Sequence, residues 1–202
     1  MGHYTGPKAR VNRRLKTTIY ESNGCRKAAD RHDAPPGMHT RPSKVSGYGI
    51  ALAEKQKIKH YYGLSERQIR RLFAEAARRP GNTGENLLLL CESRLDNIIR
   101  RAGMTVTRPQ ARQGVGHGHF LLNGRKADVA SILVKPGDVI YVKGIGNLQT
   151  VYRDIIARGS EITAPFLSLD GPNLTIKVDR LPMPDEFSCP ANVNLVVEFM
   201  SR

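Results

Sequence analysis

The sequence contains no tryptophan and only three cysteines in 202 residues. Cys25, Cys91 and Cys189 lie far apart, so no two of them can form a C-x-x-C metal or redox pair. An odd number of cysteines also excludes complete disulfide pairing. The number and spacing of the cysteines therefore predict a protein of a reducing compartment.

Long apolar runs are lacking as well. No stretch approaches the roughly 20 apolar residues that span a bilayer, and the amino terminus, basic as far as Lys16, lacks the apolar segment of a secretory signal. We therefore expect a cytoplasmic location. With 40% hydrophobic residues, a chain of this length can bury a core as one domain or as two small ones.

Acidic residues are scarce, and their shortage is uneven. Residues 1–80 carry 18 Lys and Arg against 6 Asp and Glu, whereas residues 81–202 carry 14 against 12. Clustered cations release counterions when they meet phosphates, while scattered charges mainly confer solubility. The asymmetry predicts that a polyanion, best assigned as a nucleic acid, docks on one part of the chain.

The segment Gly2–Ser46 mixes this basic charge with turn formers such as Pro35, Pro36 and Gly37. It has few large apolar residues and no sustained period, so we expect an extension that orders only against a partner. A disordered solubilising tail is the open alternative.

From Tyr48 to Arg79 the pattern is helical. Ser65 and Gln68 predict a capping box, and an apolar stripe follows it at three- and four-residue spacing. The opposite face is almost purely cationic, which favours contact with phosphate oxygens over an ordinary solvated face. The stripe is Ile69, Leu72, Phe73 and Ala76, and the cations are Arg67, Arg70, Arg71 and Arg78.

Two further helices and a small sheet are expected downstream. A helix over 85–102 is followed by a short one that Thr107 caps, with Gln110 completing the box. Asn123-Gly124 is a strong hairpin signal. Near the carboxyl terminus the pattern predicts a helix over 151–157 and strands around 174–178 and 195–199.

Several motifs resemble the S-four RNA-binding module. They are Glu92–Asn97, Thr107–Gln113, His117–His119, Leu121–Gly124 and Val134–Asp138. Other motifs spread along the chain resemble the bacterial small-subunit ribosomal protein four family. They are Tyr4–Pro7, Pro35–Gly37, Glu54–Lys57, Tyr62-Gly63, Glu66–Gln68, Gly81–Asn86 and Val197–Arg202.

The resemblance implies an α+β fold in four parts. These are a basic extension (1–46) that orders on rRNA, a helical lobe (47–92), an S-four lobe (93–155) with two short helices on a small antiparallel sheet, and a helix and strands (156–202) that join the lobes. It also implies a primary rRNA-binding protein that nucleates assembly of the small-subunit body. Further implied partners are ribosomal protein five of the small subunit, with an effect on decoding accuracy, and mRNA near the site where it enters.

Eighteen residues are candidate rRNA contacts, and we expect no catalytic residue, cofactor or metal. The candidates are Lys8, Arg10, Arg13, Arg14, Lys55, Lys57, Lys59, Arg67, Arg70, Arg71, Arg78, Arg94, Arg101, Arg108, Arg112, His117, His119 and Lys126. The two histidines enter mainly through the resemblance. Their alternate spacing on a strand would send the rings to opposite faces, which disfavours a shared metal.

The chain also departs from the family pattern. Many relatives hold zinc with four cysteines near the amino terminus, whereas this chain retains only Cys25, and one thiolate with His32 or His39 is a poor tetrahedral set. We therefore predict no zinc, with rRNA holding the extension directly. Gly114 and Gly116 predict an early end to the third helix.

Two other functions stay open. Arg94-Leu95-Asp96 resembles the motif of pseudouridine synthases, in which the aspartate is the nucleophile, although we expect Asp96 to pair with Arg100 instead. A free-standing RNA-binding regulator is the other alternative, but such chains are usually shorter.

Overall fold

The computed structural model describes residues 4–31, 34–38, 44–158 and 164–201. The described residues divide into two compact units. The helical unit comprises those of 1–87 and 188–202, and the sheet unit comprises those of 88–187. The mixture of helices with one antiparallel sheet confirms the expected α+β class.

Within the described residues the chain forms nine α-helices and five strands. The helices are α1 (Lys8–Leu15), α2 (Asn23–Arg31), α3 (Gly47–Tyr61), α4 (Glu66–Arg78), α5 (Thr83–Glu92), α6 (Leu95–Arg101), α7 (Arg108–Gly116), α8 (Leu148–Ala157) and α9 (Val193–Ser201). The strands are β1 (Phe120–Leu122), β2 (Arg125–Ala127), β3 (Val139–Val142), β4 (Leu167–Asp170) and β5 (Thr175–Val178).

The amino-terminal segment contains two helices that its lack of a sustained period did not predict. Asn12 organises the connection between them, because its Oδ1 accepts hydrogen bonds from the backbone N–H groups of Ile19 and Tyr20 at 3.1 and 3.0 Å. Its Nδ2 donates to the carbonyl of Tyr20 at 3.0 Å. Val11 and Leu15 are buried beneath this clamp. Whether the segment orders without rRNA stays a prediction.

The capping box of α4 is confirmed. The Ser65 hydroxyl accepts from the Gln68 backbone N–H at 3.3 Å, and the Gln68 side chain accepts from the Ser65 N–H at 2.8 Å. This start places Ile69 and Ala76 on the buried side of α4.

The single helix expected over 85–102 is instead two helices, α5 and α6. Arg94 between them has an extended backbone and forms an isolated bridge with Leu133. The carbonyl of Ser93 accepts from the N–H of Val134 at 2.8 Å, so pairing with a distant segment replaces the helical hydrogen bonds here. Helical periodicity continues across the break, and the sequence therefore could not show it.

Helix α7 begins as predicted and ends later. The Thr107 hydroxyl accepts from the Gln110 N–H at 3.4 Å, but the Gln110 side chain accepts from Val106 rather than from Thr107. The helix continues to Gly116, so the predicted early end is wrong. At Gly114 a Cβ would lie 2.7 Å from Tyr152 Oη, which shows that close packing accounts for this glycine.

The sheet has the order β2-β1-β3-β5-β4, with every neighbouring pair antiparallel. The Asn123-Gly124 hairpin is confirmed, since both residues have positive φ angles, as a tight two-residue turn requires. The core of the sheet unit joins α6 and α7 to one another and to the strands, and includes Phe120, Ile140 and Phe166.

The strand predicted over 195–199 is wrong, because these residues belong to α9. Phe199 packs on Tyr48 of α3 with ring centroids 5.2 Å apart, and Val196 is buried. The apolar residues of this segment instead pack against a helix of the same unit. Searched over the described residues, the structure has no helix with the length and hydropathy to cross a membrane.

Candidate nucleic-acid interface

The cationic side of α4 is exposed, as its pattern predicts. Arg67, Arg70, Arg71 and Arg78 all lie on the surface. Arg70 makes a long ion pair with Glu66 at 3.4 Å, and its side chain stays 73% exposed. The other three arginines form no ion pair within the described part of the chain. These guanidinium groups are therefore available to phosphate oxygens.

The three lysines of α3 are engaged with carboxylates instead. Lys55 is buried, bonds Glu66 and lies 5.2 Å above the Phe199 ring. Lys57 pairs with Glu54 at 2.6 Å, and Lys59 approaches Glu66 at 3.8 Å. Burial by itself would raise the pKa of Glu66, but the hydrogen bond and charge of Lys55 outweigh it, and the pKa is lowered.

The four candidate contacts that lie in α1 are of two kinds, because two are exposed and two are engaged within the chain. Arg10 and Arg14 are exposed, and neither has an ion pair among the described residues. Arg13 donates from Nε to the carbonyl of Ala34 at 2.8 Å, and Lys8 Nζ lies 5.8 Å from the centre of the Tyr20 ring. Arg13 and Lys8 therefore also support the local fold.

Arg94 lies inside the sheet unit. It is 2% exposed, and its guanidinium holds Asp96 through two hydrogen bonds of 2.8 and 3.1 Å. Arg112 also approaches Asp96, at 3.7 Å. The expected pairing of Asp96 with Arg100 is wrong, because Asp96 turns towards the extended residue that precedes its own helix.

A second set of buried contacts starts from Glu92, which is fully buried. Asn97 donates to the Glu92 carboxylate at 2.5 Å and in turn accepts from Arg108 Nε at 2.9 Å. Arg101 Nη2 donates to the carbonyl of Glu186 at 2.7 Å. The hydrogen bond from Arg108 to Asn97 links α7 to α6. Arg101 and Arg108 therefore each donate at least one hydrogen bond within the sheet unit.

The histidines lie after α7 rather than on a strand, because β1 begins at Phe120. His117 is exposed, whereas His119 Nδ1 lies 3.0 Å from Tyr152 Oη. Burial lowers the pKa of His119 and raises that of Tyr152 to about 12. Lys126 is exposed and passes over Gly118 on its way to Asp128, 3.4 Å away.

The helical unit also contains a cavity that the sequence did not reveal, which we call the tyrosine cavity. Its volume is about 520 Å³, and its lining includes Tyr4, Arg14, Tyr20, Lys59, His60 and Glu66. The residues come from the segment before α1, from α1 and its connection, and from α3 and α4. Tertiary packing brings these residues together, and no local sequence pattern predicts it.

Comparisons with known proteins find similar sequences along the whole chain. Residues 3–92 match the family described as Ribosomal protein S4/S9 N-terminal domain, and residues 93–140 match the family described as S4 domain. The chain is 54% identical to the small ribosomal subunit protein uS4 of Rhodopirellula baltica, with both chains covered completely. The proteins of the same name from Rubrobacter xylanophilus and Thermus thermophilus are each 43% identical, again over the whole of both chains.

The chain belongs to the uS4 family. This confirms the resemblance drawn from the motifs, including the S-four module.

The zinc site expected in many uS4 relatives does not fit the residues present here. Among the described residues no group of three His, Cys, Asp or Glu side chains could hold a metal ion. Cys25 is buried in the core, and Asn12 uses its side chain to hold the backbone at Ile19 and Tyr20. His32 and His39 lie outside the described residues. The absence of zinc therefore stays a prediction for this uS4 chain.

Proposed function

We propose that this chain is a structural constituent of the small ribosomal subunit and binds the rRNA of that subunit directly. The match to uS4 proteins over the whole chain supports this function. One structural observation carries the binding mechanism: the arginines of α4 that have no ion-pair partner among the described residues lie opposite the stripe that buries Ile69 and Ala76. A ribosomal protein works where ribosomes are, so its location is cytoplasmic.

Phosphate contacts supply most of the affinity in this proposal. The primary contacts are five of the predicted cations, which are exposed and form no ion pair with any residue that the structure describes: Arg10, Arg14, Arg67, Arg71 and Arg78. Arg70, Lys126 and His117 join them as exposed groups. The shape of a folded rRNA junction supplies selectivity, because A-form RNA hides its base edges in a deep, narrow major groove.

Five other predicted residues take a positioning role in this proposal. Arg94 and Lys55 are buried against carboxylates, and Arg101, Arg108 and Arg112 are largely shielded by the polar contacts around Glu92 and Asp96. They hold the surface in shape, and their loss should act through stability before it acts through phosphate pairing.

Finer functions are inferred from family resemblance. We infer that the chain joins the subunit early and nucleates assembly of its body. We further infer a contact with ribosomal protein five that affects decoding accuracy, and proximity to mRNA where it enters the subunit.

We also infer that the chain is not an enzyme. A nucleophilic Asp96 would have to reach a uridine, yet its side chain is 7% exposed and is held by Arg94. Incubation with uridine-containing rRNA should leave the uridine count unchanged. Isomerisation that disappears in Asp96→Ala, but not in an equally destabilised core variant, would establish the enzyme instead.

A salt titration tests the rRNA surface. Replacing Arg67, Arg71 and Arg78 together with alanine should weaken binding to small-subunit rRNA and reduce the slope of log K against log salt by about 2 to 3. Arg79→Ala is the matched control, because Arg79 already pairs with Glu75 at 2.9 Å. A triple variant with the parental slope would show that α4 does not contact phosphate.

Sedimentation separates a structural component from a regulator. The chain should be recovered in a one-to-one ratio with small subunits after a high-salt wash. Loose or substoichiometric recovery would favour the regulator.

A further inference from the structure

The tyrosine cavity combines aromatic surface, cationic charge and an available ring nitrogen. Its volume of about 520 Å³ lies within the ~300–1,000 Å³ typical of sites for small organic groups. The exposed arginines of α4 offer charge alone, so the two surfaces suit different parts of an RNA.

Tyr4 provides the aromatic surface. It remains 38% exposed, while its ring makes an edge contact with His60 at 5.1 Å between centroids and lies nearly parallel to Tyr20 at 6.4 Å. A Cβ at Gly6 would lie 2.6 Å from Tyr4 Oη, so this glycine lets the ring fold back over the chain. The ring is held in position before any ligand binds.

His60 supplies a hydrogen-bonding group on the same wall. Its Nδ1 lies 3.3 Å from Tyr20 Oη, whereas Nε2 has no hydrogen-bond partner among the residues that the structure describes. Burial, together with the nearby charges of Lys59 and Arg14, lowers the pKa of His60 to about 4, so the ring is neutral at physiological pH.

Two cationic side chains and one carboxylate line the tyrosine cavity, so its net charge is positive. Arg14 is exposed and unpaired within the described chain, and Lys59 approaches Glu66 only at 3.8 Å. Glu66 itself is held by Lys55 and by Arg70. Arg14 and Lys59 therefore retain charge for an anionic group.

We propose that the tyrosine cavity binds one unpaired nucleotide of the small-subunit rRNA, with its base against Tyr4 and its phosphate against Arg14 and Lys59. Unstacked bases bind aromatic side chains in this manner, and the adjoining backbone brings the anion. This inference rests on the proposed rRNA-binding function and names the part of the RNA that this cavity takes.

Substitutions at Tyr4 separate stacking from charge. Tyr4→Leu keeps apolar bulk against His60 but removes the ring, and should weaken binding to small-subunit rRNA by about 5- to 150-fold without changing the salt slope. Tyr4→Phe is the matched control and should bind within about twofold of the wild type. Arg14→Ala should instead lower the salt slope by about one.

Base-reactivity probing of the rRNA locates the nucleotide. Wild-type chain and Tyr4→Phe should protect one unpaired base that Tyr4→Leu leaves reactive, while the rest of the footprint is unchanged. A Tyr4→Leu variant with wild-type affinity and the same protected base would overturn the proposal. A wild-type chain that does not bind the rRNA at all would instead overturn the proposed function.

Two measurements on the unmodified chain complete the test, and they remain decisive if Tyr4→Leu does not fold. Ultraviolet crosslinking in reconstituted subunits should attach a nucleotide to the peptide that contains Tyr4, and its absence from the crosslinked peptides would overturn the proposal. Calorimetric titration with free nucleoside 5′-monophosphates should detect no tight binding. Tight binding would assign the cavity to a soluble nucleotide instead.

Discussion

At the scale of single residues, the same amino acid performs different tasks in this chain. Arg71 is exposed without an ion pair in the described structure, whereas Arg94 is 2% exposed and bonded to Asp96. The local sequence shows both only as basic residues of helical segments and does not distinguish them. Only the extended backbone at Arg94, set by its bridge to Leu133, directs that side chain inward.

Removing the buried carboxylate should be costly. Asp96→Ala leaves Arg94 as an unpaired buried charge, and we expect a loss of about 3–5 kcal/mol in the free energy of unfolding, measured by chemical denaturation. Asp128→Ala is the control, because Asp128 is exposed and pairs with the equally exposed Lys126, so the change should stay within about 0.5 kcal/mol. Equal effects would contradict the structural role of Asp96.

His60 should make stability depend on pH. Its pKa of about 4 in the folded chain lies below the ordinary value of 6.5, so the unfolded chain takes up a proton first as the pH falls. The stabilisation is complete above about pH 6.5 and is lost as the pH falls from 6.5 towards 4, by an amount on the order of 3 kcal/mol.

The measurement is the free energy of unfolding between about pH 7 and pH 5, above the range in which ordinary carboxylates titrate. His60→Gln should flatten its pH dependence. His117→Gln, at an exposed position, should keep the wild-type dependence. A His60→Gln chain with an unchanged profile would show that this ring is not responsible.

At the scale of elements, the sequence predicted where helices begin better than where a helix is interrupted or whether a segment is helical. The caps Ser65 and Thr107 act within a few residues, and both were found. The break between α5 and α6 and the helical state of α9 depend on partners distant in the chain, Leu133 for the break and α3 for α9. Local periodicity carries no information about those partners.

The turn between α1 and α2 should depend on one amide side chain. Asn12→Ala leaves the buried N–H of Tyr20 without an acceptor and removes one of the two acceptors of the Ile19 N–H, which should cost about 1–3 kcal/mol. Trypsin should then cleave faster at the basic residues of α1. Asn192→Ala serves as the control, because in the described structure its backbone N–H, and not its side chain, bonds Glu54. Unchanged cleavage of Asn12→Ala would contradict this role.

At the scale of the whole molecule, the described residues of the amino-terminal part contain no group of metal ligands, and the Asn12 side chain and buried apolar residues organise that region instead. We expect elemental analysis of the purified chain to find no zinc. Treatment with a chelator should leave the melting temperature unchanged, because no metal contributes to the folded state. One tightly bound zinc per chain, or a chelator-dependent drop in melting temperature, would contradict this prediction.

The sequence by itself determined the charge asymmetry, the α+β class and the uS4 motifs. These features depend on composition, local periodicity and short motifs, none of which requires knowledge of tertiary contacts. The cationic side of α4 belongs to this group, since helical period alone separates Arg71 from Ile69. The tertiary structure decided which cations stay free and which groups meet in the tyrosine cavity. Arg94 and Asp96 are neighbours in sequence, but their burial depends on the bridge from Arg94 to Leu133, and Tyr4 meets His60 through a long-range contact. Neither the burial nor the long-range contact is encoded within a few residues of the positions concerned.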